Sequence, residues 1–290
     1  MSPEPGRRIR ISSGEVRLRT LDTIDEMSQL VHLQREIWGY GEPDTDFPYP
    51  ARALFALAES GGHVGGAFLD DLPLGLSVAW RGVDPLLQKP YLHSQLVGVQ
   101  KEHRHLGLGF QLKLHQRDFA LEANLDLVKW VFDPMRSSNA NLNVRKLGAV
   151  IPAYQPDYYG SVKSHFSRGL ATDRVWAHWY VASSRVQQRL LTPPPLLQQE
   201  PPLVEVTALS DPNLECSDPD FLVEVPGDFE AILQESLSLA ADGQANIRKI
   251  FQHYLPQGYL AADFLTVSGP PRRSFYVFTK NPLKQILNED

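Results

Sequence analysis

The chain has 290 residues, 42% hydrophobic and 21% charged, which is ordinary for a globular protein. Its formal net charge of −6 argues against a nucleic-acid-binding surface, and its single cysteine, Cys216, excludes internal disulfides and a zinc site built on several thiolates. Because no apolar run approaches the length of a membrane span and the N-terminus lacks the hydrophobic core of a signal peptide, we expect a cytoplasmic protein without nucleic-acid or membrane partners.

The first predicted elements are a strand and a capped helix. Residues 1–14 are rich in Pro, Gly, Ser and Arg, and we expect them to form a flexible N-terminus. Residues 16–21 alternate between apolar and polar types, as a strand does. Asp22 or Thr23 can cap the helix that follows, which is predicted to reach Trp38 with Ile24, Met27 and Val31 in its apolar stripe.

A loop, a second helix and a hairpin come next. The loop over 39–50 contains several turn-forming residues, and a loop of this length in a compact domain is often functional. Pro50 favours the start of a helix over 51–60. Residues 63–69 and 74–80 are predicted to form a hairpin around Asp70-Asp71.

The central stretch of the chain is a strand followed by a glycine-containing turn and a long helix. Ten strand-like residues, 91–100, lead through the polar turn 101–105 to Gly107 and Gly109 at the start of a helix that ends near Asn124. A helix N-terminus presents unpaired N–H groups and the positive end of the dipole, and glycines let an anion approach them closely. The pattern therefore predicts a pyrophosphate cradle, for which an acyl-coenzyme A is the simplest ligand.

Other interpretations of the two glycines fit the sequence less well. A dinucleotide fingerprint needs a third glycine where Leu112 stands, and the Gly-Lys-Ser/Thr of a Walker loop is absent. The remaining alternative is that the glycines only permit a tight strand-to-helix turn.

Further strands and helices complete the first 190 residues. Residues 127–132 form a nearly continuous apolar run, which is typical of a buried central strand. A short helix is predicted from the Ser/Asn-rich segment 137–141 to Gly148, followed by strands over 149–151 and 172–181.

Composition changes after Val181. We interpret 15–190 as one domain, the proline-rich segment 191–202 as a connector, and 203–290 as a C-terminal accessory unit. The predicted elements of that unit are a strand over 221–225, helices over 228–241 and 244–254, and strands over 259–267 and 274–278.

The pattern Val99-x4-Arg104-x2-Gly107-x-Gly109, between a strand and a helix, resembles the acyl-CoA signature of the GNAT superfamily of N-acyltransferases, although Lys101 replaces the usual proline. The order of elements over about 16–181 also resembles that family. The resemblance implies a mixed α/β (α+β) fold with a central mixed twisted sheet flanked by helices. The tail would then be a smaller α/β unit, which we interpret as a degenerate partial repeat that packs on the catalytic part and completes its sheet or pocket.

The resemblance also implies which residues bind acyl-CoA. Backbone N–H groups of the turn would hold the pyrophosphate, the exposed edge of the preceding strand would pair with the pantetheine amides, and a glycine in that strand would mark the approach of the thioester or a bulge. Asn139 is expected to contact CoA or to cap its helix. The expected cofactor-binding residues are Val97, Gly98, Val99, Arg104, His105, Leu106, Gly107, Leu108, Gly109, Phe110 and Asn139.

The catalytic groups are less defined. Glu102 and His93 are candidates for the base that deprotonates the amine, with His63 and the acidic loop 42–46 as alternatives, although a structural role for His93 is also expected. Where many family members carry a tyrosine proton donor, this chain has Val144. Tyr154 is the candidate donor, with Tyr158 and Tyr159 as alternatives, or else the thiolate leaves without assistance from a donor. No metal is expected, because His103 and His105 lack partner ligands at suitable spacing.

The resemblance implies transfer of an acyl group, acetyl or succinyl, from acyl-CoA to the amine of a small metabolite such as an amino acid. The alternatives are a non-catalytic acyl-CoA-binding or sensing protein, and acetylation of peptides or proteins. The oligomeric state, with a homodimer as one option, is left open.

Overall fold

The computed structural model describes residues 7–12, 14–40, 47–85, 88–160, 169–269 and 272–289. The chain divides into two compact units, Met1–Lys129 with Val162–Gly169, and Trp130–Ser161 with Leu170–Asp290. This division falls within the predicted domain 15–190, whose boundaries stay a prediction. In the described ranges, no helix is both long and apolar enough to cross a membrane.

The described part of the first unit is a mixed sheet with helices on both faces. The strands follow the order β1-β2-β3-β4-β5-β6, and every neighbouring pair is antiparallel except β5 and β6, which are parallel. A 3-10 helix over Lys101–Leu106 joins β5 to α3. The elements are β1 (Arg8–Ile11), β2 (Gly14–Thr20), α1 (Ile24–Trp38), α2 (Ala51–Glu59), β3 (His63–Leu69), β4 (Leu72–Val83), β5 (Pro90–Val99), α3 (Leu108–Glu122) and β6 (Leu127–Phe132), whose last three residues belong to the second unit.

Two apolar clusters fix the helices to opposite faces of this sheet. On one face α1 and α2 pack on the strands through residues such as Leu30, Leu54 and Val78. On the other face α3 packs through Leu108 and Leu112, both fully buried. The predicted fold class, a mixed sheet flanked by helices, is thus confirmed.

The ends of α1 follow from local chemistry. Thr23, one of the two predicted caps, accepts a hydrogen bond from the Glu26 backbone, and the Glu26 carboxylate accepts one from the Thr23 backbone, which is a capping box. Gly39 closes the helix in the left-handed conformation (φ 69°). The predicted stripe is wrong at Ile24, which is 42% exposed because it lies in the first turn, ahead of the buried Met27.

The expectation of a flexible segment over 1–14 is wrong for residues 8–11. These residues form β1, which pairs with β2 through the register Ile9↔Val16. Arginine and isoleucine alternate here, so one side of the strand can pack on the sheet while the other stays in solvent.

The described part of the second unit is also a mixed sheet with helices. Its strand order is β8-β7-β11-β12-β10-β9, with β9 and β10 parallel and the other paired strands antiparallel. A π-helical turn over Asn141–Lys146 follows α4. The elements are α4 (Ser137–Ala140), β7 (Val150–Gln155), β8 (Arg174–Tyr180), α5 (Ser184–Leu191), β9 (Glu205–Thr207), β10 (Asp220–Val225), α6 (Phe229–Glu235), α7 (Leu237–Tyr254), β11 (Leu260–Val267), β12 (Arg273–Thr279) and α8 (Leu283–Leu287).

The C-terminal tail continues the sheet that β7 and β8 begin. β11 pairs antiparallel with β7 at Ala261↔Ile151. The faces of β7, β12 and α7 meet in an aromatic core, where the Phe251 ring lies 5.5 Å from the rings of both Tyr154 and Tyr276. A strand of the tail thus joins the sheet of β7 and β8, while the interpretation of the tail as a partial repeat stays a prediction.

Two predictions for the second unit need correction. The helices predicted over 228–241 and 244–254 break at Ser236 instead, because the Ser236 hydroxyl accepts a hydrogen bond from the Leu239 N–H (3.2 Å) and starts α7 there. Gly243 lies inside α7, where a Cβ would stand 3.1 Å from the Met135 side chain. In addition, α5 forms near the predicted connector, and of its residues only Val186 is buried.

Asp173 anchors α7 to the strands of the second unit. Its side chain is fully buried and accepts hydrogen bonds from Arg248 at 2.8 and 2.7 Å, from the Asp157 backbone at 2.9 Å and from the Tyr154 hydroxyl. Because both carboxylate oxygens are bonded, the buried charge is compensated by specific partners.

Candidate functional site

The turn from β5 into α3 has the geometry of a helix N-terminus that opens outward. Gly107 joins the 3-10 helix to α3 with φ 74°, a left-handed conformation that favours glycine. The fully buried Leu108 fixes the first turn of α3 to the sheet. The first bond of this helix runs from the Gln111 N–H to the Gly107 carbonyl (3.2 Å), so the N–H groups of Leu108, Gly109 and Phe110 come before it.

Both glycines of this turn face open space. A Cβ built on Gly107 or on Gly109 would meet no heavy atom of the described chain within 4 Å. The left-handed backbone conformation explains why position 107 is a glycine. Position 109 is helical and has space for a side chain, so neither its backbone conformation nor its packing requires a glycine. The interpretation that the glycines only permit a turn therefore does not account for Gly109, whereas a bound anion would.

The other residues predicted for this turn lie around the same helix end. Arg104 donates from Nε to the carbonyl of Val99 (3.2 Å), which fixes its side chain along the end of β5. His105 is exposed, Leu106 is half-buried against the α3 face of the sheet, and Phe110 is half-buried.

Among the described residues, no strand pairs with one edge of β5 beyond His93. β4 pairs with β5 along its whole length, from Pro90 to Val99. On the opposite edge, the described pairing with β6 consists of Leu92↔Val128 and His93↔Lys129. The backbone that follows includes residues 97–99, the segment predicted to bind pantetheine. The side chains of Val97 and Val99 pack towards α3 and therefore do not cover the backbone groups of this edge.

One of the two predicted reasons for Gly98, a glycine at a bulge, is wrong. A Cβ at Gly98 would stand 2.6 Å from the Trp38 ring and 3.0 Å from Ile37, so packing against α1 favours a glycine here, while the approach of a thioester stays a prediction. The bulge of β5 lies earlier, at Gln95, where the register with β4 shifts between Val78 and Ala79.

His93 is buried (9% exposed) in a polar and aromatic cluster before this edge. Its ring stacks on Trp80 (centroids 5.6 Å apart, planes at 16°), and its Nε2 lies 3.1 Å from Oε1 of Gln95. Burial lowers the pKa of His93, and the charges of Lys113 and Lys129 lower it further, whereas the hydrogen bond with Gln95 opposes the shift. The imidazole is therefore held in its neutral form near pH 7.

Lys129 itself forms a buried ion pair with Asp84 (2.5 Å), and its ammonium lies 4.8 Å from the centre of the Tyr91 ring.

Sequence analysis missed Tyr49, Trp80, Gln95 and Lys129. The signal that could have found them is the polar run His93-Ser94-Gln95 inside an otherwise apolar strand.

Glu102 and His93 are not brought together. His93 and Val99 are six residues apart on β5, a distance of about 20 Å along an extended strand. Glu102 is exposed on the 3-10 helix that follows the Val99 end of β5. Glu102 thus lies near the N-terminus of α3, and His93 lies towards the other end of β5. The alternative bases do not change this picture, because His63 is fully buried and the loop 42–46 lies outside the described residues.

Tyr154 and Asn139 lie in the second unit. Burial, and then the hydrogen bond to Asp173, raise the pKa of the Tyr154 hydroxyl, which makes it a weaker proton donor. Asn139 is the third residue of α4, whose N-cap is Arg136, so the helix-cap interpretation of Asn139 is wrong. Val144, at the position of the missing tyrosine, is fully buried.

A second polar cluster lies between β5 and α3. The Nζ group of Lys113, whose pKa burial lowers well below its usual value, donates to the Ser94 hydroxyl (2.7 Å), which donates to Gln116 Oε1 (2.8 Å). Nearby, His63 Nε2 lies 2.9 Å from the Ser77 hydroxyl, and the His63 ring is 5.0 Å from that of His115.

We expect this histidine pair to make the protein less stable in acid. Burial lowers the pKa of both His63 and His115, and the proximity of His115 lowers that of His63 further. Below the unfolded pKa of about 6.5 the unfolded chain binds more protons than the folded one, so the unfolding free energy falls by up to about 1.4 kcal/mol per pH unit for each histidine. Urea unfolding at pH 7.5, 6.5 and 5.5 measures the slope.

His63→Gln should reduce that slope, while His32→Gln on the exposed face of α1 serves as the matched control. A slope that is the same in His63→Gln and the unchanged protein would contradict the assignment.

Across the described ranges, no group of three or more His, Cys, Asp or Glu side chains is placed to hold a metal ion. The polar groups described for this site are the backbone N–H groups at the start of α3 and the neutral imidazole of His93.

Comparison with solved structures gives similarity to acetyltransferases. The Escherichia coli ribosomal-protein-S18-alanine N-acetyltransferase is 11% identical, with 58% of this chain and 96% of that chain covered at a TM-score of 0.44. An acetyltransferase of the GNAT family from Streptococcus pneumoniae is 15% identical, with 56% and 97% covered at 0.44. The Salmonella typhimurium protein yncA, solved with its cofactor acetyl-CoA, is 16% identical, with 57% and 94% covered at 0.43. No protein-family model matches the sequence, and no curated protein matches it.

Proposed function

We propose that this chain is an acyl-CoA-dependent N-acyltransferase of the GNAT type. One observation carries the proposal: the edge of β5 with which no described strand pairs beyond His93 leads directly to a helix N-terminus whose two glycines face open space. A strand edge and a helix end in this order offer partners for the amides and the pyrophosphate of one extended ligand.

The residues of the turn would bind the negative end of acyl-CoA. The N–H groups of Leu108, Gly109 and Phe110 point from the helix end and would donate to pyrophosphate oxygens. Arg104, held against Val99, adds a positive charge beside them. Along β5, backbone groups from Gln95 to Val99 would pair with the pantetheine amides, and an N–H of this edge would polarise the thioester carbonyl.

His93 is our proposed base. A base must be neutral to accept a proton, and the lowered pKa keeps this imidazole neutral at pH 7. Its position about 20 Å along β5 from the cradle suits an acyl group at the far end of an extended cofactor arm. Glu102 lies beside the cradle, and Tyr154 donates to Asp173, so neither is proposed as the principal catalyst. A thiol with a pKa of about 8.5 can leave without a dedicated donor.

In this proposal the acyl donor is acetyl-CoA or succinyl-CoA. The acceptor is the amine of a small metabolite, such as an amino acid or its derivative. The second candidate function is acyl-CoA binding or sensing without catalysis. Two observations favour it: the buried Val144 at the position of the missing tyrosine, and the engaged hydroxyl of Tyr154. The two functions differ in turnover, because only the enzyme releases free CoA when amines are supplied.

The experiment is a stability measurement of the full chain with acetyl-CoA, succinyl-CoA and free CoA. A ligand that binds only the folded state adds about 2.7 kcal/mol at one hundred times its dissociation constant. The acyl-CoA that stabilises most is then screened against amines with detection of released thiol. Absence of stabilisation by all three ligands would overturn both candidate functions.

Gly109→Ala should raise the stability of the ligand-free protein and lower its affinity for acetyl-CoA. Alanine is favoured over glycine in a helix by about 0.8–1.0 kcal/mol, and the open space at Gly109 accepts a methyl group. The ligand-free protein should therefore become more stable, while the methyl group hinders the approach of pyrophosphate and weakens acetyl-CoA binding. Urea unfolding and calorimetric titration measure the two effects. Unchanged affinity would show that the ligand does not use this helix end.

A further inference from the structure

The second unit contains a cavity of about 630 Å³ beside the beginning of β12. Its walls come from three segments of that unit: the start of α4, the turn that leads into α6, and the residue before β12. A volume of this size is in the range of sites that bind small metabolites. The charged residues that line the cavity are Arg136, Asp228, Glu230 and Arg272.

The walls of the cavity are held together by close contacts. The Ser137 hydroxyl donates a hydrogen bond to the Pro226 carbonyl, which joins α4 to the turn before α6. A Cβ on Gly227 would stand 2.7 Å from the Arg272 carbonyl oxygen, so the backbones of these two residues touch. Asp228 and Arg272 are therefore neighbours in space. Both belong to the described residues, and yet no ion pair joins them.

One part of the lining offers hydrogen-bond donors. Arg272 and Ser138 are exposed, and within the described ranges neither side chain has a hydrogen-bond or ion-pair partner. Burial lowers the pKa of Arg145, Asp263 opposes this shift, and the charges of Arg189 and Arg272 add to it. Arg272 thus lies near other guanidinium groups and has no carboxylate partner among the described residues. A bound carboxylate would supply the missing negative charge.

The beginning of α6 offers acceptors on the same cavity. Asp228 uses Oδ1 to accept the Ala231 N–H (3.1 Å), and Glu230 uses Oε2 to accept from Arg136 (2.9 Å). The second oxygen of each carboxylate accepts no hydrogen bond from the described part of the chain. An ionised carboxylate oxygen can only accept, so these two oxygens suit an ammonium group.

We propose that this cavity binds a zwitterionic α-amino acid, with its carboxylate on Arg272 and Ser138 and its ammonium on Asp228 and Glu230. The planar guanidinium of Arg272 can donate two parallel hydrogen bonds to one carboxylate. The two charged groups of an α-amino acid are attached to one carbon atom, which matches the proximity of Arg272 and Asp228. The inference goes beyond the proposed function, because it concerns binding and holds whether or not the chain transfers acyl groups.

The test is binding of L-amino acids to the full-length protein without acyl-CoA. Saturation-transfer NMR screens the standard L-amino acids at millimolar concentration, and calorimetric titration gives the affinity of the one that binds best. Its N-acetyl derivative lacks the ammonium and its amide lacks the carboxylate, so each should bind at least about tenfold more weakly. Absence of binding by all amino acids would overturn the inference. Equal affinity for either derivative, or full displacement by inorganic phosphate, would also overturn it.

Two substitutions locate the ligand in the cavity. Arg272→Gln removes the guanidinium at an exposed position, and Asp228→Asn removes a charge but keeps the oxygen that caps α6. Each should weaken binding of that amino acid by about tenfold. The matched controls, Arg52→Gln on α2 and Asp242→Asn on α7, alter exposed residues outside the cavity lining and should leave affinity unchanged. Unchanged affinity in either cavity variant would contradict the proposed contacts.

A variant of the other unit separates this inference from the proposed function. Gly107→Glu alters the cradle and should bind the amino acid as tightly as the unchanged protein does. Loss of amino-acid binding in this variant would assign the ligand to the cradle and overturn the inference. If the unchanged protein binds no acyl-CoA but binds an amino acid through Arg272, the inference holds and the proposed function fails.

Discussion

Gly107→Glu should eliminate the stabilisation of this protein by acyl-CoA. The new carboxylate would occupy the open space in front of the first N–H groups of α3, where pyrophosphate is proposed to bind. Bringing two like charges together costs several kcal/mol, so we expect affinity to fall by about a hundredfold or more. The left-handed conformation at this position (φ 74°) also costs about 1–2 kcal/mol of stability for a non-glycine residue. Calorimetric titration with acetyl-CoA measures the loss.

Gly258→Glu is the matched control. Gly258 has φ 89°, and a Cβ there also meets no described atom within 4 Å, but it follows α7 in the other unit. The control should lose similar stability and keep its acyl-CoA affinity. Equal affinity losses in both variants would mean that general destabilisation, and not the cradle, explains the effect.

Asp173→Ala should be the most destabilising substitution considered for this chain. It removes the buried partner of Arg248 and also the acceptor for the Tyr154 hydroxyl and the Asp157 N–H. Each buried donor left without its acceptor costs about 1–3 kcal/mol, whereas the Arg248 side chain, 36% exposed, can still be solvated. Burial alone would raise the pKa of Asp173, but the hydrogen bonds from Arg248 and Tyr154 outweigh it and lower the pKa, so this stabilisation is present at neutral pH and is lost as acid protonates the group. Urea unfolding at pH 7.5 gives the value.

An exposed ion pair on the same helix provides the control. Lys249 follows Arg248 and contacts Asp211 at 2.8 Å, with side chains that are 53% and 87% exposed. Asp211→Ala should therefore cost less than about 1 kcal/mol. If the two substitutions cost the same, the Asp173 network would not be the anchor of α7.

Local patterns were sufficient to predict the elements that carry the cradle. The run of β5, the polar turn and the two glycines lie within about twenty consecutive residues, and their conformations depend on neighbours along the chain. The cap at Thr23 and the buried strand β6 could be predicted for the same reason. Two local features were misjudged: Ile24 lies in the exposed first turn of α1, and Gly98 is not at a bulge but faces the ring of Trp38, which comes from another element.

Contacts between distant residues could not be predicted in this way. Whether His93 lies beside Gln95 or Trp80 depends on a bulge and on strand register, and one shifted residue sends a side chain to the other face. Asp173 and Arg248 are 75 residues apart, and neither residue signals the other. The sequence therefore predicts the proposed cofactor end of the site better than its catalytic end.

The pairing of β7 with β11 has a consequence for how this protein tolerates shortening. β7 lies between β8 and a strand from the tail. A chain that ended at the proline-rich segment 191–202 would leave the edge of β7 at Ile151 without the strand that pairs with it, and an uncovered strand edge is a template for pairing with another molecule. The tail thus covers this edge of β7. A shortened chain would be prone to self-association even if its proposed acyl-CoA site remained intact.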